Sequence, residues 1–272
     1  MNEYKISFGT SCMGRLHHIK KTYLRNIKVA LDTYDNCEFV LLNWNSRDGL
    51  DDWVKENLTE YIESGIVKYI HTTIPLKFSQ AITKNITCKN ASGDIVCVLD
   101  GDNRLKPKFI SKIVEEFNCH EFPIFGSHGA GVAGRMVCFK EHFLKIRGFD
   151  ESLTKWGYED CDFINRFKVY FDKHKYFNIK SLAGSAIHHQ GRPVNAKNNK
   201  KISKKNESIG LSIVNTEEWG VIPREEDEGS LNKLIKQRKI IDLKIEEEEC
   251  RQEAKRHMAL AELCKENLLN IL

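Results

Sequence analysis

The chain has 272 residues, 41% of them hydrophobic and 29% charged, with five prolines and a net charge of +4. This is the composition of one large or two small folded domains with a full core, not of a disordered chain, and the charge is too small to argue for nucleic acid. No apolar stretch reaches the roughly 18 residues that span a bilayer, and nine scattered cysteines without a C-x-x-C pair fit reduced thiols better than a disulfide framework. Met1-Asn2-Glu3-Tyr4-Lys5 leads straight into a strand-like run with no signal-peptide core, so the expectation is a cytoplasmic chain.

The first hundred residues alternate in period. Ile6–Gly9 reads as a strand and Leu16–Leu31 as a helix. Phe39–Leu42 is a second strand, and Trp53–Ile62 lies in a second helix. Val67–Ile70 is a third strand, Phe78–Thr87 a third helix, and Ile95–Leu99 a fourth strand. Such alternation predicts an α/β fold, a mainly parallel sheet with helices on both faces and the post-strand loops along one edge. Pro107 sits where a first-turn proline starts a helix over Phe109–Phe117.

Beyond residue 120 the pattern changes. Gly126, Gly129, Gly131 and Gly134 crowd one stretch, followed by a strand over Ala133–Phe139 and a short helix through Phe143 and Ile146. Phe163, Phe167 and Tyr170 have helical spacing, which predicts a helix over Tyr158–Phe171. Ile179–Ile187 reads as a strand, and the basic segment Arg192–Lys205 as a loop. Ser230–Leu272 is helix-rich, with two ragged apolar faces around Glu246–Glu249. The expected organisation is a catalytic domain over 1–205, with halves 1–103 and 104–205, and a C-terminal helical extension over 206–272. That extension either packs back or joins two copies; its acidic block opposes attachment to anionic lipid.

Three motifs carry chemistry. In Ile95-Val96-Cys97-Val98-Leu99-Asp100-Gly101-Asp102-Asn103, a buried-strand run ends in two carboxylates one residue apart. Ligands of open α/β sheets bind beyond such strand ends. Two hard oxygen ligands there suit Mg²⁺ or Mn²⁺, which suit a diphosphate; the same residues can also close an Asp-Gly turn. The second motif, Trp156-Gly157-Tyr158-Glu159-Asp160-Cys161-Asp162, puts three carboxylates at a helix N-terminus, where the dipole favours negative charge. Trp156 and Tyr158 flank a glycine, as a sugar-binding wall or as core. Crowding of Glu159, Asp160 and Asp162 predicts a raised carboxyl pKa by like-charge repulsion. The third is His188-His189-Gln190-Gly191-Arg192. Neighbours on an extended chain point to opposite sides, so at most one of His188 and His189 reaches a metal.

Taken in order, strand-D-x-D, Gly148-Phe149-Asp150-Glu151, the Trp156–Asp162 run and the histidines resemble a GT-A fold glycosyltransferase over residues 4–192. The first hundred residues are similar to the family 2 nucleotide-sugar-binding half, and Gly134–Phe167 to the C-terminal part of the β-1,4-galactosyltransferases. The resemblance implies that Asp100 and Asp102 bind Mn²⁺ or Mg²⁺ and, through it, the donor diphosphate. It implies that His189, or else His188, completes the metal site, and that Asp160 is the catalytic base, with Glu159 beside it orienting the acceptor. Trp156 and Tyr158 would line the acceptor site; Thr10, Asp48 and Arg192 would contact the donor. The chain departs from the galactosyltransferase pattern by one glycine fewer, and Ala186 stands nearest the offset of its metal-binding Met. The Q-x-x-R-W helix common in family 2 has no counterpart.

The implied function is an inverting, metal-dependent transfer of a sugar from a nucleotide donor, a UDP-hexose or UDP-N-acetylhexosamine, to a glycan or lipid-linked glycan, in surface-polysaccharide assembly at the inner membrane face. Two other classes compete. A nucleotidyltransferase needs a Gly-rich basic loop after the first strand, and only Gly9 and Gly14-Arg15 are offered. A non-catalytic sugar-binding module has no use for the acids from Glu159 to Asp162.

Overall fold

The computed structural model describes residues 3–74, 77–126, 135–153, 157–179, 185–187, 196–208 and 210–222. Strands β1 (Ile6–Cys12), β2 (Cys37–Trp44), β3 (Val67–Thr72) and β4 (Ile95–Val98) alternate with helices α1 (Leu16–Thr33), α2 (Leu50–Asn57), α3 (Thr59–Glu63) and α4 (Gln80–Lys89). After α5 (Pro107–Cys119) come β5 (Pro123–Gly126), β6 (Val137–Phe139), α6 (Lys140–Lys145), α7 (Glu159–Tyr170), β7 (Lys175–Asn178) and α8 (Ala196–Ser208). The sheet runs β3-β2-β1-β4-β6-β5-β7. β1 pairs parallel with β2 and β4, β2 with β3, and β5 with β7, while β6 runs antiparallel to β4 and β5.

Both faces of the sheet are covered, which is why its central strands read as continuous apolar runs rather than alternating ones. Ile95, Cys97 and Leu99 join the layer formed with α1, α2 and α5, through Ile19, Tyr23, Trp53 and Phe109. Val96 and Val98 join the opposite layer with α4, α6 and α7, through Ile86, Phe143, Phe163 and Phe167. Helix α4 lies so close to β1 that a Cβ on Gly9 would stand 2.8 Å from Thr87 Oγ1; only glycine allows this approach.

Several expectations are revised. The helix expected across Trp53–Ile62 is two, because Leu58 (φ −120°, ψ 0°) leaves the helical region to bury its side chain between them. The helix expected from Phe78 begins at Gln80. Short strands β5 and β7 carry too few residues to show a period, and β7 precedes the run expected as a strand. Of Ile179–Ile187, the described residues contribute one bridge, Asn103 to Ala186. Within the basic segment expected as a loop, Ala196–Ser208 is helix α8. It holds no Gly or Pro, and Asn199 and Ser203, four residues apart, are buried. Of the expected extension over 206–272, residues 206–208 end helix α8 and 223–272 lie outside the described residues, while 210–222 run without helix. They seat Trp219 in the α4–α6 layer, where Lys89 donates to its carbonyl at 2.6 Å.

One buried acid at the far end of the sheet fixes a pH response. Glu38 accepts hydrogen bonds from the Ser92 amide and hydroxyl and from Ser7 Oγ, and pairs with Lys5 Nζ at 3.1 Å. Burial alone would raise its pKa, but these bonds outweigh it and hold the carboxyl at about 2 instead of 4.5. Its contribution is therefore present above the unfolded value of 4.5 and is lost as pH falls through the folded one. Glu38→Gln should cost about 3 kcal/mol at pH 7, with the deficit shrinking below pH 4.5 in urea melts. A deficit independent of pH would assign the loss to geometry rather than to charge.

Candidate active site

Strand β4 delivers Asp100, Gly101 and Asp102 to the carboxyl edge of the sheet, and α1 pins the loop they form. Thr22 Oγ1 donates to Gly101 O at 2.6 Å, Asn26 Nδ2 to Asn103 O at 2.8 Å, and Leu105 N to Asn26 Oδ1 at 2.8 Å. A turn closes through Asn103 N to Asp100 O at 2.9 Å. Segment 185–187 docks on the loop, with Ile187 N donating to Asp102 O at 2.8 Å and Arg104 N to Ser185 O at 2.9 Å. Asn103 Nδ2 donates to Asp102 Oδ1 at 2.6 Å and Gln80 Nε2, more weakly, to Asp100 Oδ1 at 3.3 Å.

The second acidic group starts α7. Gly157 (φ +110°) and Tyr158 (φ +77°) are consecutive left-handed residues, a reversal that aims Glu159 and Asp160 inward; both are under 9% exposed. Glu159 is held twice, by Gly157 N at 3.0 Å and by Lys84 Nζ at 2.9 Å. Lys84, on α4, is itself 3% exposed. The next residue of α4, Asn85, binds the Gly148-Phe149-Asp150-Glu151 turn. It accepts from Phe149 N at 2.8 Å and donates to Phe149 O and Glu151 Oε1 at 2.9 Å. A Cβ on Gly148 (φ +64°) would stand 2.4 Å from Asn85 Oδ1.

Charge divides this cluster unevenly. Burial raises the Asp160 carboxyl, the Glu159 carboxylate adds to the rise, and the result is about 6. Glu159 would likewise be raised by burial, but Lys84 outweighs that and holds it down. Burial alone would lower Lys84; Glu159, Asp100 and Asp160 hold it high. Asp100 is raised by burial, against the pull of Lys84 and with a push from Asp102 and Glu159. One anion is thus fixed by a lysine, while its neighbour is poised to take a proton. The expected repulsion is present, but its source is corrected. The push on Asp160 comes from Glu159 and then Asp100, while Asp162 pairs at 2.7 Å with Arg166, which also binds Gly148 O at 2.9 Å.

Thr10 lies against the Asp100–Asp102 loop, and Asp48 follows β2. The Thr10 hydroxyl donates to Leu99 O at 2.8 Å. Asp48 uses both oxygens, accepting from Leu16 N at the start of α1 and from Ser46 Oγ, each at 2.7 Å. Trp156, His188, His189 and Arg192 lie outside the described residues. Sequence reasoning missed Lys84. Its only signal is that it is the sole charge between Gln80 and Cys88 on α4, and its partner lies 75 residues away.

Among the described residues, no three of the histidine, cysteine, aspartate and glutamate side chains are grouped to hold a metal. The donor set still fits a hard divalent ion. Mg²⁺ binds through one or two carboxylates plus substrate phosphates, and Asp100 and Asp102 are two. With Glu159 and Asp160 they make four carboxylates in a field with two cations, Lys84 and Arg135, which leaves an excess of negative charge for a cation to meet.

A family described as glycosyl transferase family 2 matches residues 12–170 of the chain. Among curated proteins, none matches it. Solved structures share the fold at low identity. Residues 1–349 of S. aureus TarS align with TM-score 0.59 and 13% identity, over 79% of this chain and 67% of that one. The mannosyltransferase PcManGT from Pyrobaculum calidifontis, in complex with GDP-Man and Mn²⁺, aligns with TM-score 0.58 and 14% identity, over 78% and 64%. The glucosyl-3-phosphoglycerate synthase of Mycobacterium tuberculosis, with Mn²⁺, UDP and glucosyl-3-phosphoglycerate, aligns with TM-score 0.50 and 15% identity, over 79% and 82%. This chain thus spans about two thirds of the first two structures. The fold is the GT-A fold.

Proposed function

The chain belongs to glycosyl transferase family 2, and from that premise we propose that it transfers a sugar, with inversion, from a nucleotide-diphosphate donor to a glycan hydroxyl, using Asp160 as base. The observation that carries this reading is the buried pair at the start of α7, in which Lys84 holds Glu159 anionic and leaves Asp160 poised near neutrality.

Asp160 takes the proton of the acceptor hydroxyl as that oxygen attacks the anomeric carbon. The new carbon–oxygen bond forms while the bond from that carbon to the donor phosphate breaks, and the nucleoside diphosphate leaves. One displacement inverts the anomeric centre. Glu159, fixed by Lys84 and Gly157 N, orients the acceptor, and Tyr158 and Trp156 wall its sugar ring. Thr10 and Asp48 set the shape of the donor rim, and Arg192 meets the diphosphate. Asp100 and Asp102, with His188 or His189, would hold Mn²⁺ or Mg²⁺. When bound, such an ion supplies Lewis-acid neutralisation of the charge developing on the leaving diphosphate.

A UDP-sugar is favoured by two of the neighbours, TarS in complex with UDP-GlcNAc and the mycobacterial synthase with UDP; PcManGT carries GDP-Man. No helix among the described residues is long and apolar enough to cross a membrane. A place at the cytoplasmic membrane face and in surface-polysaccharide assembly is what the family resemblance implies, and pairing of two copies through residues 230–272 is what their apolar sequence pattern implies.

The test is thermal melting with UDP-Glc, UDP-Gal, UDP-GlcNAc, UDP-GalNAc and GDP-Man, each in Mn²⁺ and in EDTA. At a hundredfold excess over Kd a ligand adds about 2.7 kcal/mol, a shift of several degrees for a domain of this size. One donor should raise the midpoint in Mn²⁺ only, and Asp102→Ala should abolish that shift. No shift with any donor, or a full shift in Asp102→Ala, would overturn the reading.

A further inference from the structure

Helix α8 carries charge that the reaction above does not use. Lys197, Lys200, Lys201, Lys204 and Lys205 are all exposed and fall at i, i+3, i+4, i+7 and i+8, which is one face of a helix. Asn199 and Ser203, on the opposite face, are buried. At 1.5 Å per residue the row runs about 12 Å, with lysines four apart separated by about 6 Å. Like charges at these spacings repel one another, and Lys197, Lys200, Lys204 and Lys205 form no ion pair with another described residue. The helix is also tied to the site. It packs on α7, and Asn199 Nδ2 donates to Gly157 O at 2.7 Å, the turn residue that precedes Tyr158, Glu159 and Asp160.

We infer that the lysine face of α8 is a binding track for a linear polyanionic acceptor, a glycan that bears phosphate or carboxylate groups along its length. This names the acceptor class of the active site proposed above and rests on that reading. A row of point charges on flexible stems suits repeated anions. The exposed face (Lys197, Asn198, Lys200, Lys201, Lys204, Lys205, Glu207, Ser208) holds no apolar or aromatic side chain. Acyl chains and nucleobases therefore find nothing to insert beside or to stack on, while phosphates and carboxylates do. Asn199, on the opposite face of the same helix, fixes the track's position relative to the turn that opens α7, so a chain long enough to follow the track is held about one helix diameter from that turn.

The full chain would be titrated by fluorescence anisotropy with labelled oligogalacturonate and with inorganic polyphosphate, against neutral dextran oligomers and phosphatidylglycerol vesicles. Three proteins are compared: the natural chain, K200Q/K201Q/K204Q/K205Q on α8, and a control K108Q/K145Q/K173Q/K175Q of equal charge loss on other exposed lysines. Donor-induced melting shifts in Mn²⁺ are read on all three. The natural and control chains should bind both oligoanions, more weakly as salt rises, and not dextran. The α8 variant should bind at least tenfold more weakly while keeping its donor shift. Equal weakening in the two variants, no oligoanion binding by the natural chain, or tighter binding to vesicles than to either oligoanion would overturn the inference. Oligoanion binding that depends on α8, in a natural chain with no donor shift, would instead overturn the reading of the active site.

Discussion

Asp160→Asn is expected to lower kcat by roughly 10²–10⁴-fold, the usual contribution of a positioned base, with the donor-induced melting shift retained. In the natural enzyme, kcat/KM should fall as pH drops below about 6, where the Asp160 carboxyl gains its proton. The same residue should reveal itself in stability. Its folded pKa lies above the unfolded value of 3.8, so the folded state binds this proton more tightly. The contribution is complete below the unfolded value and is lost as pH rises through about 6. At pH 8 in EDTA the ionised Asp160 is therefore a burden, and Asp160→Asn should melt higher, by about 2–3 kcal/mol of stability. The gain should vanish towards pH 4. A variant that turns over normally, or that melts lower at pH 8, would remove Asp160 from the role of base.

Lys84→Met should destabilise the protein by about 3–5 kcal/mol, because it leaves Glu159 buried without its cation. Its activity should fall with it. The diagnostic readout is the pH profile of the residual activity. Lys84 holds the Asp160 pKa down and Glu159 pushes it up, Glu159 more strongly. Lys84→Met alone should move the limb near pH 6 upward. Lys84→Met with Glu159→Gln should bring the limb back below the natural position and recover part of the lost stability, as a neutral pair replaces an orphaned charge. Additive losses and an unmoved limb would make Lys84 a packing residue only.

Where neighbours in sequence are neighbours in space, the chain is legible. β1, β2 and β4 announce themselves because both faces of each strand are covered, edge strand β3 because Val67, Ile70 and Thr72 are buried, and Pro107 marks the start of α5 because its missing N–H costs nothing there. The paired acids at the end of β4 and at the start of α7 are equally plain, since each lies within one short motif. What escaped is long-range or short-period. Strands of four residues, such as Pro123–Gly126 and Lys175–Asn178, fit no window long enough to show alternation. Helix α8 looked like a loop because five lysines hide the two small polar residues, Asn199 and Ser203, that it buries. Lys84 could not be matched to Glu159 by spacing, and without it the three acids of α7 look alike. The structure separates them: Glu159 is held by Lys84, Asp162 by Arg166, and Asp160 is left to titrate.

Helix α4 carries Lys84 and Asn85 side by side. One holds the start of α7 and the other the Gly148–Glu151 turn, while Gly9 lets the same helix seat directly against β1. Two segments 8 residues apart in the second half of the chain are thus clamped to one rigid body in the first. Neither can swing outward while α4 stays seated, and an excursion that frees one loosens the grip on the other. In the language of local unfolding, the base and the turn beneath it belong to a single cooperative unit. The acidic centre is then a preset piece of the scaffold, and adaptation to different acceptors falls to the segments outside that clamp.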